Sequence, residues 1–365
     1  MIFDGHLDIA MNAVNWNRDL TASLESIRAS ESGMTDKKDR ERNVCCLPEM
    51  RRGKIGLCVA TQIAHYVSPT NPVIGWHSPE IAWAQTQAQL AWYQAMCDRG
   101  QMMQVRNTRE LAELLRIWEC DESGHEEKEL DTSNLPIGFI LSLEGADSIL
   151  TLDHLHRAYG YGLRLLGPAH YGPGRYAAGT GETDGLTPDG RVLLKEMDSL
   201  NMILDVTHLT DRGFTEALDI FSGPVWASHH NSRTLVPHQR QLTDEQIKIL
   251  VSRGAIIGAS FDTWMLIKDW QRGKTTPQET GVNLNHVVDH IDYICQIAGN
   301  AQHSCVGSDL DGGYGYEQTP LDVRSIADVA KLWQLLADRG YNKADVVSIM
   351  HGNAIRFFQQ HLPNS

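Results

Sequence analysis

Apolar residues along this chain fall into two alternating kinds of segment. Eight short runs rich in β-branched and aliphatic residues predict β-strands: Met1–Asp8, Ile55–Gln62, Ile137–Glu144, Leu163–His170, Met202–His208, Val225–His229, Ala255–Ser260 and Cys305–Asp309. They are continuous apolar runs, as parallel strands covered on both faces require. Between them lie amphipathic stretches with helix signals. Pro79 opens Glu80–Arg99, Pro188 precedes Val192–Leu200, and Thr243 heads Asp244-Glu245-Gln246 as a capping box before Ile247–Ser252. Leu284–Ala298 and Ile326–Arg339 repeat apolar residues every third or fourth position. Strand and helix alternating eight times over about 310 residues predicts an α/β fold, a (β/α)8 TIM barrel. A doubly wound sheet is the alternative topology, but no Gly-x-Gly-x-x-Gly follows an early strand. One barrel domain spanning residues 1–365 is the expected organisation.

Three stretches are longer than ordinary connections: Trp16–Asn43, His65–Ser78 and the acidic Cys120–Asn134. The first two are insertions after the first two strands, on the C-terminal face where barrel enzymes build their sites, and are expected to act as lids. The third reads as a solvated excursion. Composition narrows the function classes. The 365 residues carry 32 basic and 46 acidic side chains, a formal net charge of -14, which repels phosphate backbones and excludes nucleic acid as a partner. No apolar run approaches the ~18 residues of a membrane-spanning helix, so no membrane partner is expected. The seven cysteines include the adjacent Cys45 and Cys46 and no Cys-x-x-Cys pair. They read as reduced thiols, neither a disulfide framework nor a thiolate zinc site. The N-terminus lacks the pattern of a secretory leader, so the cytoplasm is the expected compartment.

What changes the picture is where the polar residues fall. The first strand ends Asp4-Gly5-His6-Leu7-Asp8, and the third ends Leu143-Glu144-Gly145. Others end at His170, His208, His229 and Asp309. In a parallel barrel these ends converge on one mouth. His6 and Asp8, two apart on a strand, point the same way. Any one of these residues is weak evidence, since a lone strand-end histidine is more often a hydrogen-bonded structural group. Six at the ends of six strands form a joint pattern whose burial is costly without a neutralising cation. Imidazole and carboxylate suit Zn²⁺, with Mn²⁺, Co²⁺ or Fe²⁺ as weaker alternatives. The arithmetic fits two ions: His6 and Asp8 on one, His208 and His229 on the other, Glu144 bridging both. A hydroxide shared by the ions is then a nucleophile at neutral pH. Asp309 is placed to take its proton and pass it to a leaving group. His170 is a candidate to polarise a carbonyl, and Arg240, in the polar loop His238-Gln239-Arg240-Gln241, a candidate clamp for a substrate carboxylate. His230 should point away from its neighbour's site and is read as structural. His65 and His77, after the second strand, carry no assigned role. His154, His156, His286, His290 and His361 follow no pattern.

At this point the chain resembles the renal or membrane dipeptidase family, a branch of the amidohydrolase superfamily. The resemblance rests on Asp4-Gly5-His6-Leu7-Asp8, on Leu47 through Gly56, and on Leu143-Glu144-Gly145. Further on it rests on Leu163-Arg164-Leu165-Leu166 leading to His170, and on Gly185-Leu186-Thr187 leading to Gly190. It is densest from Leu204-Asp205-Val206-Thr207-His208 through Ser228-His229 and Arg240 to Gly307-Ser308-Asp309-Leu310-Asp311-Gly312, and closes with Gly352-Asn353-Ala354-Ile355-Arg356-Phe357. It implies a binuclear zinc site that hydrolyses dipeptides. Carried over, His6 and Asp8 bind the first zinc, Glu144 bridges, and His208 with His229 binds the second. His170 meets the scissile carbonyl, Arg240 the terminal carboxylate, and Asp309 is the proton shuttle. A homodimer is a further expectation, since relatives are often dimers.

The chain departs from the family at Gln62-Ile63-Ala64, at Ser260-Phe261-Asp262-Thr263-Trp264, and at Tyr171 to Tyr176 after His170. These residues should line the pocket, so side-chain preference is their province. The leading expectation is a zinc dipeptidase acting on a small dipeptide, including one with a D-residue at its carboxyl end. The alternatives are hydrolysis of another acyl bond, in an N-acyl amino acid or a lactone, and a non-catalytic metal-bound binding protein. The complete set of candidate ligands and shuttle acid argues against the last.

Overall fold

Strand pairing closes on itself in the computed structural model, which describes residues 1–67, 74–119 and 130–364. The strands are β1 (Ile2–Leu7), β2 (Ile55–Ile63), β3 (Met102–Gln104), β4 (Ile137–Glu144), β5 (Leu163–Gly167), β6 (Ile203–Asp205), β7 (Val225–Ala227), β8 (Ile256–Ala259) and β9 (Ser304–Val306). Their order is β2-β1-β9-β8-β7-β6-β5-β4, and β4 pairs back onto β2 from Leu57↔Gly138 to Ile63↔Glu144. Every pairing is parallel, so the result is a closed eight-stranded TIM barrel. The extra strand β3 pairs with the start of β4, Met102↔Ile137 to Gln104↔Phe139, on the edge that β5 takes from Leu141 onward. Three residues carry no legible period, which is why the sequence does not mark it.

All eight expected strands form, but β1 stops at Leu7, one residue before Asp8, and four others stop further short of their candidate residues. β5 ends at Gly167 rather than His170, β6 at Asp205 rather than His208, β7 at Ala227 rather than His229, and β9 at Val306 rather than Asp309. After β6, β7 and β9 a buried carboxylate takes the place of the ladder. Asp205 Oδ1 accepts from the backbone N–H groups of Thr207 (3.0 Å) and Ser228 (3.2 Å). Asp4 Oδ1 does the same for His6 (3.2 Å) and Ser308 (2.9 Å). The backbone then turns sharply: His208 and Asp309 sit at φ of 68° and 56°, the left-handed region.

The expected helices are present. Pro79–Asp98 is capped by the Ser78 hydroxyl, Pro188–Ser199 begins at its proline, and Asp244–Ser252 carries the Thr243–Gln246 capping box. Leu284–Ala298 matches its apolar period, whereas Ile326–Arg339 divides into a 3₁₀ segment, Ile326–Lys331, and an α-helix, Leu332–Asp338. The Ser325 hydroxyl, held by Ala327 N, starts this segment in the tighter winding. The long Trp16–Asn43 insertion is more ordered than a bare loop. It contains the helix Leu24–Ser30 and is braced by buried ion pairs, Arg18–Glu31 at 2.7 Å, Arg18–Asp39 at 2.9 Å and Arg40–Glu31 at 2.7 Å. Of His65–Ser78, positions 68–73 lie outside the described residues, as do 120–129 of Cys120–Asn134. No helix among the described residues is long and apolar enough to cross a membrane.

Two apolar layers hold the barrel. Outside, residues such as Leu141, Leu204 and Val306 pack under the helices. Inside, each barrel strand contributes to one cluster: Phe3, Leu57, Ile140, Leu165, Ile203, Trp226, Ile256 and Cys305. The C-terminal helix Asn353–His361 closes the bottom with Phe357 and Phe358, whose ring centroids lie 5.1 Å from that of Trp226. Higher up, Gly258 and Gly307 leave room for a strand to approach: a Cβ on either would stand 2.0 Å from the Ser228 carbonyl oxygen. Trp226 is fully buried at the centre of the floor. Trp226→Ala is expected to destabilise the fold by about 3–5 kcal/mol, through lost burial and a cavity the barrel cannot close. Denaturant unfolding of the two proteins measures this, and a loss below 1 kcal/mol would show that the floor repacks.

Candidate metal centre

The mouth of this barrel gathers ionisable groups from strands far apart in the chain. Glu144, the last residue of β4, stands at the middle, because Ile140, Ser142 and Glu144 share the inward face of that strand. Its Oε1 lies 3.6 Å from His6 Nε2, 3.2 Å from His208 Nε2 and 3.5 Å from His229 Nε2. His6 Nε2 is also 3.8 Å from Asp8 Oδ1 and 4.0 Å from Asp309 Oδ1. Among the described residues three sets can each hold a metal ion, their donor atoms within 4.8 Å of one another: His6, Asp8 and Glu144; Glu144, His208 and His229; His6, His229 and Asp309.

Surrounding groups aim these donors. The Thr61 hydroxyl donates to Asp8 Oδ1, and Asp311 Oδ1 accepts from Asp8 N at 2.7 Å. His208 Nδ1 is 2.9 Å from Thr180 Oγ1, and His229 Nδ1 is 3.0 Å from Ser228 Oγ. An imidazole occupied at Nδ1 presents Nε2 to the centre, where those two nitrogens are 3.2 Å apart. Both ring nitrogens of buried His6 have no hydrogen-bond partner. Orphaned donors on a buried imidazole, facing carboxylates at more than hydrogen-bond distance, fit a metal ion between them.

The electrostatics agree. Burial and the Glu144 charge push the Asp8 carboxyl up to about 7, and burial holds Asp309 well above the usual carboxylate range. Burial also disfavours charge on Glu144, but the imidazoles of His6 and His170 and a hydrogen bond with His208 outweigh it and keep its carboxyl well below the usual range. Burial opposes a charged His6, yet Glu144, Asp8 and Asp309 hold its pKa well above the ordinary histidine value. A cluster that raises a histidine in this way stabilises positive charge.

The other candidates border the same cavity, which measures about 190 Å³. His170 Nε2 is 4.0 Å from Glu144 Oε2, and burial lowers its pKa to about 4, so the ring is neutral at pH 7. Arg240 is buried, its guanidinium fixed by Nη2 to the His229 carbonyl at 2.9 Å and Nη1 to His230 Nδ1 at 3.1 Å. His230 thus serves to hold Arg240. His65 Nδ1 lies 2.8 Å from Asp147 Oδ2, and its ring is 6.0 Å from that of His170. His77 is exposed. The cavity also recruits residues no pattern had singled out: Trp16 and Lys38 from the first insertion, Arg272, Tyr314 and Gln318. Trp16 and Lys38 had only their place in the long first insertion as a signal, and Arg272, Tyr314 and Gln318 had none.

A TIM barrel with imidazoles and carboxylates converging at its C-terminal mouth is the form of a metal-dependent hydrolase. The chain belongs to the membrane dipeptidase family, peptidase family M19, whose sequence model matches residues 1–363. By class it is therefore a metallopeptidase, a hydrolase of the dipeptidase type. Dipeptidase tcpJ of Claviceps purpurea is 33% identical over 179 residues, 48% of this chain and 38% of that protein. An uncharacterized protein in the pqqA 5′ region of Klebsiella pneumoniae is 30% identical over 210 residues, 55% of this chain and 73% of its own length. The fold matches a metallopeptidase from Rhodobacter sphaeroides liganded with a phosphinate mimic of the dipeptide L-Ala-D-Ala, with a TM-score of 0.76, 22% identity and 99% of each chain covered.

Proposed function

We propose that this protein is a binuclear zinc dipeptidase that hydrolyses small dipeptides, including those with a D-residue at the carboxyl end. The observation that carries the reading is the position of Glu144, one oxygen within 3.6 Å of three imidazole nitrogens. His6 and Asp8 would hold one ion, His208 and His229 the other, and Glu144 would bridge them. Zinc bound here supplies Lewis acidity and a water acidic enough to attack at neutral pH. The dipeptide mimic in the Rhodobacter sphaeroides relative supports the substrate class.

The chain's own residues supply binding and proton transfer. Arg240, already fixed by two contacts, offers its remaining donors to the substrate's terminal carboxylate at little entropic cost. Neutral His170 donates an N–H to the scissile carbonyl oxygen as charge builds there. Asp309 lines the cavity, takes the proton of the attacking water and delivers it to the departing amine.

The test is a library of dipeptides with L- and D-residues at each position, assayed with zinc-loaded protein. The expected result is turnover of dipeptides with a free terminal carboxylate, none of their amides, and loss on chelation with recovery on adding zinc. Turnover of N-acyl amino acids or lactones without any dipeptide would overturn the reading, as would two bound zinc ions with no turnover at all.

A further inference from the structure

Asp262 departs from the family pattern and lines the cavity, so on its own it reads as a socket for a cationic substrate side chain. Its contacts say otherwise. Oδ2 accepts from Trp264 Nε1 at 2.6 Å, Oδ1 accepts from Gln318 Nε2 at 2.8 Å, and the Arg272 guanidinium sits 3.5 Å away. Both carboxylate oxygens are engaged inside the protein, and the acid serves to seat Arg272.

Arg272 is the group left facing the substrate space. It stacks on the Trp264 ring at 4.5 Å from the centroid, and Nη2 donates to the Tyr171 hydroxyl at 2.9 Å. Its side chain remains 45% exposed, enough for a ligand to reach it. Tyr171 in turn packs its ring against His170 (5.0 Å) and His208 (5.1 Å). Arg272 therefore stands one tyrosine away from the catalytic cluster. Lys38, on the braced insertion, lines the same cavity and has no ion-pair partner among the described residues.

Charge then decides what fits. Asp8, Glu144 and Asp309 belong to the cluster that a cation neutralises, and Asp262 offsets one of the three cations Lys38, Arg240 and Arg272. Two positive charges are left facing the substrate, and the terminal carboxylate of a simple dipeptide answers only one. Arg240 and Arg272 line the same cavity of about 190 Å³, so the carboxylates they bind are near neighbours. Two carboxylates that close are the α-carboxylate and the side-chain carboxylate of one residue.

We propose that Lys38 and Arg272 form a subsite for the side-chain carboxylate of the substrate's C-terminal residue, making dipeptides that end in aspartate or glutamate the preferred class. This rests on the dipeptidase reading above. The test compares kcat/KM for Ala-Asp and Ala-Glu with the uncharged near-isosteres Ala-Asn and Ala-Gln, each with an L- or D-residue at the carboxyl end. The acidic members are expected to win by about tenfold or more, mainly through KM, with the margin shrinking as salt is added. Arg272→Gln combined with Lys38→Ala should bring the ratio to near one, while Arg272→Lys retains part of it. Equal turnover of acidic and amide dipeptides by the unaltered protein would overturn the subsite alone, as would a preference that survives the double variant. Failure to cleave Ala-Ala or any other dipeptide would overturn the dipeptidase reading, and the subsite with it.

Discussion

Glu144→Ala is expected to strip the protein of bound metal and to lower turnover far beyond the ~10–100-fold typical of losing a group that merely supports a ligand. Among the described residues the carboxylate is the single negative group within reach of three imidazole nitrogens, at 3.2, 3.5 and 3.6 Å. Without it the Nε2 atoms of His208 and His229, 3.2 Å apart, lose the carboxylate that lies against both of them. The cost should appear in both halves of the cluster, because Glu144 belongs to the set with His6 and Asp8 and to the set with His208 and His229. Metal content by plasma mass spectrometry and steady-state kinetics on a dipeptide measure the two effects. A variant that keeps two equivalents of metal and its turnover would remove Glu144 from the centre.

Asp309→Asn separates proton transfer from metal binding. Turnover is expected to fall by about 10²–10⁴-fold, the range for loss of a general acid or base, with metal content unchanged. Asp309 approaches His6 Nε2 only to 4.0 Å, the longest of the His6 contacts with the cluster acids. Its backbone is left-handed at φ 56°, a conformation that asparagine adopts as readily as aspartate. The substitution therefore removes the titrating oxygen while leaving the turn in place. Full turnover in the variant would assign the proton to another group, and loss of metal would make Asp309 a ligand.

Much of this architecture was legible in the residue pattern. Continuous apolar runs such as Ile137–Glu144 mark buried parallel strands, and their alternation with capped helices leaves a closed barrel as the economical solution. Period two placed His6 on β1 and Glu144 at the end of β4, whereas Asp8, expected on the same strand, lies one residue past it. Strand ends were less legible. A hydrophobic pattern reports burial, and Val206 and Leu209 stay buried after β6 has lost its ladder to the Asp205 carboxylate. The short β3 had too few residues to carry a period.

The sequence by itself determined the order of strands, the chemistry available at their ends and the family. These depend on local periodicity and residue type, which are read along the chain. Only the tertiary structure decided how close His6 comes to Asp309, three hundred positions away, and that Asp4 and Asp205 hold the backbone around the cluster. It also turned Asp262 from an apparent substrate contact into the anchor of Arg272. The physical reason is the same in each case. Whether a polar atom faces a ligand depends on which donors from distant segments reach it first, and barrel closure sets those distances.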